Sequence, residues 1–143
     1  MELDLDAKAE RVVRKIKHYL ITTMGITISE ANPEEFYRAF ALTVREELMI
    51  NWTATLKTYR QQQARTLYYL CMEYLPGRFM GNNITNVHAI DLVKLVMKKV
   101  DRSFAEELLY EPDPGLGNGG LGRLASCLLD SLATQQYPTI AYG

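Results

Sequence analysis

Cysteine and histidine are scarce in this chain, two of each in 143 residues. Cys71 and Cys127 stand far apart, without CxxC spacing or paired histidines, so no disulfide framework and no zinc-ligand set can be drawn from them. Their apolar neighbours mark both as buried free thiols of a reducing compartment, the cytoplasm, and no histidine is placed to activate either as a nucleophile. Long hydrophobic runs are missing too. None approaches the ~20 residues that span a bilayer, and the acidic start MELDLDAKAE lacks the basic and apolar regions of a secretory signal. Nor does charge of one sign accumulate. Sixteen basic residues against seventeen acidic leave a net charge of -1, so the molecule as a whole casts no field that would gather nucleic acid or an anionic membrane. Anion recognition, if any, has to be local.

What is present is a concentration of glycine. The run Gly115 to Arg123, GLGNGGLGR, holds five of the nine glycines in the chain. Glycine costs backbone entropy on folding, so such density implies positive φ angles or close approach to another group. Directly after it, Leu121, Leu124, Ala125, Leu128, Leu129 and Leu132 recur at helical spacing. The glycines therefore end where a helix begins. A helix N-terminus offers unpaired N–H groups and the positive end of the macrodipole, and residues without Cβ let a phosphate reach them. Arg123, a cation in the first helical turn, opposes that dipole and fits an anion close by. Two other readings compete. One is a plain flexible loop. The other is a dinucleotide fingerprint, because GxGxxG fits at Gly115, Gly117 and Gly120 and again at Gly117, Gly119 and Gly122. That motif should follow a buried strand, and the preceding Glu111, Pro112, Asp113 and Pro114 cannot be a central one.

The rest of the chain supplies helices and two strands. From about Asp4 to Leu20, an apolar face of Leu5, Ala9, Val12, Val13, Ile16, Tyr19 and Leu20 opposes Lys8, Arg11, Arg14, Lys15 and Lys17. Met24 and Gly25 break this helix. Asn32, Pro33 and Glu35 form the start of a second, running to about Tyr59, whose line Phe40, Val44, Leu48, Trp52, Leu56 predicts a buried Trp52. The unbroken run Leu67 to Met72 predicts a strand buried on both faces, as in a parallel sheet. Glu73 stands at its carboxyl end, where open α/β sheets bind ligands, with Arg78, Asn82 and Asn83 just beyond. Helices follow at about Asn86 to Val100 and Ser103 to Tyr110, the latter with Ser103 and Glu106 as a capping box. His88 has no partner by spacing. A second short strand is expected at Thr139 to Tyr142. Two strands make a marginal unit, so 1–143 is expected to be a single but incomplete unit, helical over 1–63 and carrying the glycine loop in 64–143.

GLGNGGLGR, the following LASCLLDSLAT and the earlier YYLCMEYLPGR together resemble the N-terminal segment of the α-glucan (glycogen, starch or maltodextrin) phosphorylases, over roughly Tyr68 to Gly143. The resemblance implies an α/β fold, the mostly helical N-terminal fragment of a two-domain, Rossmann-like GT-B glycosyltransferase, with a buried strand near 66–72 and a short one near 139–142. It implies reversible phosphorolysis of α-1,4-glucan to glucose 1-phosphate with retention, pyridoxal 5'-phosphate as cofactor, and a homodimer in the cytoplasm. Glu73, Asn118, Gly119, Gly120, Leu121 and Gly122 would bind substrate and phosphate. Arg123 would be a further anion contact, and no metal is implied. The Schiff-base lysine lies in the family's C-terminal domain, outside these residues, so the fragment alone is expected to be inactive. The phosphorylation segment and the aromatic and arginine pair of the nucleotide-regulated animal enzymes are not reproduced, so control by phosphorylation or AMP is not expected. A GT-B transferase using a nucleotide sugar and a helical oligomerising module are the alternatives.

Overall fold

A computed structural model describes residues 2–143, with Glu2 and Leu3 described by backbone alone. The chain divides into two compact units, Met1–Ile50 with Met80–Glu111, and Asn51–Phe79 with Pro112–Gly143. The division falls inside the long second helix.

The first unit is helical. α1 (Glu2–Tyr19) runs into a π-helical turn, Leu20–Met24, which Gly25 ends in the left-handed conformation with φ 72°. Ala9, Val13, Ile16 and Leu20 of the expected apolar face are buried, while Lys8, Arg11, Arg14 and Lys17 are exposed. α2 (Pro33–Gln61) starts at the anticipated capping box: Glu35 N–H donates to Asn32 Oδ1 and Asn32 N–H to Glu35 Oε2, both at 2.9 Å. Its first turns bury Phe36, Tyr37, Ala39 and Phe40, and the buried Thr43 hydroxyl is satisfied by Ala39 O at 3.0 Å. The helix expected over 86–100 is α4 (Ile90–Lys99), which starts four residues later, and an unexpected helix, α3 (Met80–Asn86), precedes it; the two are separated at His88, which is exposed with φ 54°. α4 brings Val93, Val96 and Met97 into the core beside Ile16, Leu20, Phe36 and Phe40. Burying each such side chain contributes about 1.5 to 3 kcal/mol.

The capping box expected at Ser103 does not form. α5 (Phe104–Glu107) lasts one turn before tightening into a 3₁₀ turn at Leu108–Tyr110, and the Ser103 side chain makes no cap bond. Another device holds this region. The Arg102 guanidinium meets Glu107 at 2.9 Å, donates to Ala31 O at 2.7 Å and lies 4.3 Å above the Phe36 ring. Glu107 is almost wholly buried, and its charge is tolerated because Arg102 is there.

In the second unit, β1 (Leu67–Leu70) and β2 (Thr139–Tyr142) form a two-stranded parallel sheet in which Leu67 pairs with Thr139 and Leu70 with Tyr142. Parallel pairing needs a long crossover, and the intervening chain includes α6 (Gly120–Thr134). Here four expectations fail. The run 67–72 is not buried on both faces: Tyr68 is 61% exposed, Leu70 76% and Met72 82%. Two strands carry too little backbone and too few neighbours to cover their own side chains. Trp52 lies on the α2 line beyond the first unit's core and is 58% exposed. Cys127 is exposed and Cys71 half-buried. On α6 the side that packs inward is Gly122, Ala125 and Ser126, whereas Leu121, Leu124 and Leu128 of the expected apolar stripe face outward. Small residues allow the close approach that leucines would block.

Candidate active site

Three residues beyond β1 the chain reaches Glu73, which is half-buried. Its neighbours fix it from two sides. Tyr74 and Leu116 form an antiparallel bridge, Tyr74 N–H to Leu116 O at 2.7 Å and Leu116 N–H to Tyr74 O at 2.8 Å. Leu75 N–H donates to Gly122 O at 3.0 Å. The segment after the strand is thus tied both to the glycine run and to the first turn of the helix that follows it. The Tyr74 hydroxyl reaches two further carbonyls, Tyr69 O at 3.1 Å and Tyr142 O at 3.0 Å. Burial, with Cys71 and Tyr69 adding to it, pushes its pKa above the ordinary tyrosine value, so Tyr74 stays a neutral donor.

The Glu73 carboxylate lies at the N-terminus of α6. Its Oε2 accepts from the backbone N–H groups of Gly119 and Gly122, each at 3.3 Å. Both bonds are long, yet they place a negative charge at the positive end of the helix dipole, a favourable position. A carboxylate of the chain itself therefore takes part of the terminus that the sequence assigned to a visiting phosphate.

The glycines separate into two kinds. At Gly117 the backbone has φ 102°, and an added Cβ would stand 2.7 Å from Glu73 Cβ and Cδ. At Gly122 it would stand 3.0 Å from Glu73 Cβ and Leu75 Cγ. Packing inside the chain demands both glycines. Gly120 is different: a Cβ there meets nothing within 4 Å, and the residue is exposed. As first-turn residues of α6, Gly120 and Leu121 have N–H groups without intrahelical acceptors.

Of the residues singled out by sequence, the structure joins Glu73, Gly119 and Gly122 directly, and sets Asn118, Gly120 and Leu121 on the exposed surface of the same loop. Arg123 turns its guanidinium toward Leu75 O and Pro76 O, at 3.5 and 3.4 Å, distances at the weak limit. Arg78 is exposed, and Asn82 and Asn83 belong to α3 of the other unit. Gly117 as the wedge under Glu73, and Leu75 as the wall beside Gly122, were not singled out. Among five glycines, spacing does not tell which one needs a positive φ. A cleft of about 800 Å³ in the first unit, with Lys98, Arg102, Glu107 and Tyr110 on its wall, contains none of the motif residues. No group of three or more potential metal ligands gathers among the described residues, and no described helix is long and apolar enough to cross a membrane.

Comparison with known proteins bears on the same stretch. Residues 97–143, which include the glycine run and α6, match the family model for carbohydrate phosphorylase. The chain is 40% identical over 132 residues to the alpha-1,4 glucan phosphorylase L-2 isozyme of Solanum tuberosum, covering 92% of this chain and 14% of that protein. It is 39% identical over 134 residues to the glycogen phosphorylase of Synechocystis, 94% of this chain and 16% of that one. To the glycogen phosphorylase of Pasteurella multocida it is 35% identical over 142 residues, 99% of this chain and 17% of that protein. Likeness that runs almost end to end through the chain while spanning only 14 to 17% of these relatives places it in the carbohydrate phosphorylase family, as a segment of such a protein.

Proposed function

We propose that this segment supplies the phosphate- and sugar-facing loop of an α-glucan phosphorylase, an enzyme that splits α-1,4-glucan with inorganic phosphate to give glucose 1-phosphate, reversibly and with retention. One observation carries the reading. Gly120 has no neighbour that a Cβ would touch and no positive φ that excludes one. A glycine there leaves the head of α6 open to a group from outside the chain. A phosphate oxygen fits that description, because it needs bare N–H groups at a helix N-terminus and Gly120 and Leu121 present them. Fixed dipoles of this kind stabilise charge more strongly in a closed cleft than in water, and they need no reorganisation as the glycosidic bond breaks. Asn118 on the exposed face of the loop is available to sugar hydroxyls.

The loop fits one end of pyridoxal 5'-phosphate, its phosphate, but provides no amine for the other: the second unit's single lysine, Lys57, lies on α2, outside the motif. When bound, the cofactor would supply a phosphate beside the substrate phosphate. The chain's own share would be to hold the substrate phosphate through the Gly120 N–H and the sugar through the Leu121 N–H. The GT-B architecture, the homodimer and a cytoplasmic setting belong to the same reading. So does the cover for the exposed faces of β1 and β2, which we assign to the remainder of such a protein.

The test places this segment in the Synechocystis glycogen phosphorylase in exchange for its aligned residues, and measures glucose 1-phosphate released from maltodextrin and phosphate. Activity is expected with the segment as it stands, and a fall of about 10²-fold or more with Gly120→Ala, with helicity unchanged. A folded, cofactor-loaded chimera that forms no phosphate-dependent product overturns the proposal and favours a nucleotide-sugar transferase.

A further inference from the structure

We infer that Glu73 acts as a positioning residue: it clamps the glycine loop through Gly119 and Gly122 so that the N–H groups between them point outward, and it does not itself serve as the sugar's acceptor. The inference rests on the phosphorylase reading and refines it. Glu73 Oε2 bridges the N–H groups on either side of Gly120 and Leu121. The aliphatic part of the side chain is wedged against Gly117 and Gly122, where no Cβ could fit without displacing it. Backbone ties from both adjoining residues, Tyr74 to Leu116 and Leu75 to Gly122, set the direction in which Glu73 leaves the chain. Both hydrogen bonds of this carboxylate among the described residues are thus to the loop. Removing it would leave two N–H groups without acceptor and a hollow beneath Gly117, and the loop would lose the geometry that presents Gly120 and Leu121.

The clamp has an electrostatic consequence. A carboxylate at the positive end of α6 shares that terminus with any incoming phosphate, so its charge weakens phosphate binding while its oxygen preorganises the site. Oxygen and charge can be separated by substitution. Glu73→Gln keeps an acceptor oxygen at the same reach without the charge. Glu73→Asp keeps the charge but is one methylene short of both glycines. Glu73→Ala loses oxygen, charge and wedge.

In the chimera, Glu73→Ala is expected to lower kcat about 10²-fold, the scale for a reacting group held roughly 1 Å out of place. Glu73→Gln should recover most of that loss and lower KM for phosphate by up to about fivefold, the factor that corresponds to losing one favourable charge–dipole term. Glu73→Asp should fall between the two in kcat despite its charge. In the 143-residue chain, amide resonances of Gly119 and Gly122 should shift and exchange faster in Glu73→Ala than in Glu73→Gln. If Glu73→Gln is as impaired as Glu73→Ala while those amides stay protected, the carboxylate meets the substrate directly and the clamp is wrong. If the unsubstituted chimera is folded, loaded and inactive, the phosphorylase reading fails instead. If Glu73→Ala does not fold, the graded kcat of the Gln and Asp variants decides, since a direct charged contact would rank Asp above Gln.

Discussion

The two units spend their apolar residues in opposite ways. In the first, Ile16, Leu20, Phe36, Phe40, Val96 and Met97 converge from α1, α2 and α4 into one buried cluster. In the second, the unbroken apolar run Leu67 to Met72 supplies β1 yet leaves Tyr68, Leu70 and Met72 largely in solvent, while burial is confined to Gly122, Ala125 and Ser126 of α6. The first unit is held by side-chain packing and the second by backbone ties around Glu73. Apolar content alone therefore does not locate a core. A core also needs enough surrounding elements to close over it, and helices supply those locally while two strands do not.

The sharpest way to break this contrast is to truncate one large side chain in each unit. Phe40→Ala should cost about 3 to 5 kcal/mol, because Phe40 is 1% exposed and packs edge-on against Phe104. Leu70→Ala should change stability by no more than ~0.5 kcal/mol. Urea unfolding of the 143-residue chain, followed by far-ultraviolet circular dichroism, gives both numbers. Equal losses would mean that the β1 faces are covered in solution, by a second copy or by rearrangement.

Within the second unit, the division of the glycines predicts opposite signs. Gly117→Ala forces a left-handed alanine into the space of Glu73 and should destabilise the unit by about 1 to 3 kcal/mol. Gly120→Ala meets open space in a helix and should leave the unit as stable or raise it by up to about 1 kcal/mol. Hydrogen exchange at the α6 and β1 amides would register the two changes separately. A destabilising Gly120→Ala would show that the loop packs against something in the chain, and would remove the argument that the head of α6 is open to an external ligand.

The single tryptophan tests what the sequence could and could not say. Local signals were legible: the Asn32 and Glu35 box, the break at Gly25, the helix start at Gly120 and the strand at Thr139 each depend on a few adjacent residues. So was the position of Glu73 beyond β1, although the strand ends at Leu70, two residues before its apolar run does. Burial was not legible. The line Phe40, Val44, Leu48, Trp52, Leu56 has one period throughout, yet its burial fades from the first turns of α2 to an exposed Trp52, because α1 and α4 pack only where the first unit lies. The clamp was hidden for a related reason: Glu73 and Gly119 are 46 positions apart, and no spacing rule connects them. Trp52 fluorescence should accordingly be red-shifted and freely quenched by acrylamide, and Trp52→Phe should alter stability by less than ~0.5 kcal/mol. A blue-shifted, protected tryptophan would return the second half of α2 to a core.

The smallest effect concerns charge on the first unit's surface. Lys15 lies 2.7 Å from Glu47 and 2.9 Å from Glu46, and Glu46 also accepts from the Tyr19 hydroxyl at 3.1 Å. The hydrogen bond from Lys15 is the main reason that Glu46 titrates below the ordinary glutamate range, and the bonds to Glu47 and Glu46 hold Lys15 above the ordinary lysine value. A carboxylate with a depressed pKa in the fold adds stability that is present above its unfolded pKa and lost as pH falls through the folded one. A lysine with a raised pKa adds stability that is complete below its unfolded pKa and lost as pH rises through the folded one. The ties therefore stabilise between the acidic and alkaline limits and vanish at both. Lys15 is 34% exposed and Glu46 41%, so water and salt screen them, and the contribution should be only ~0.3 kcal/mol. Unfolding of the wild type and Glu46→Gln should differ by that amount at neutral pH and converge below about pH 3 and in roughly 1 M salt. The difference should appear in the amides of α1 and the first half of α2 and be absent from those of α6. A pH-independent gap would assign the effect to packing of the Glu46 stem on Tyr19 rather than to charge.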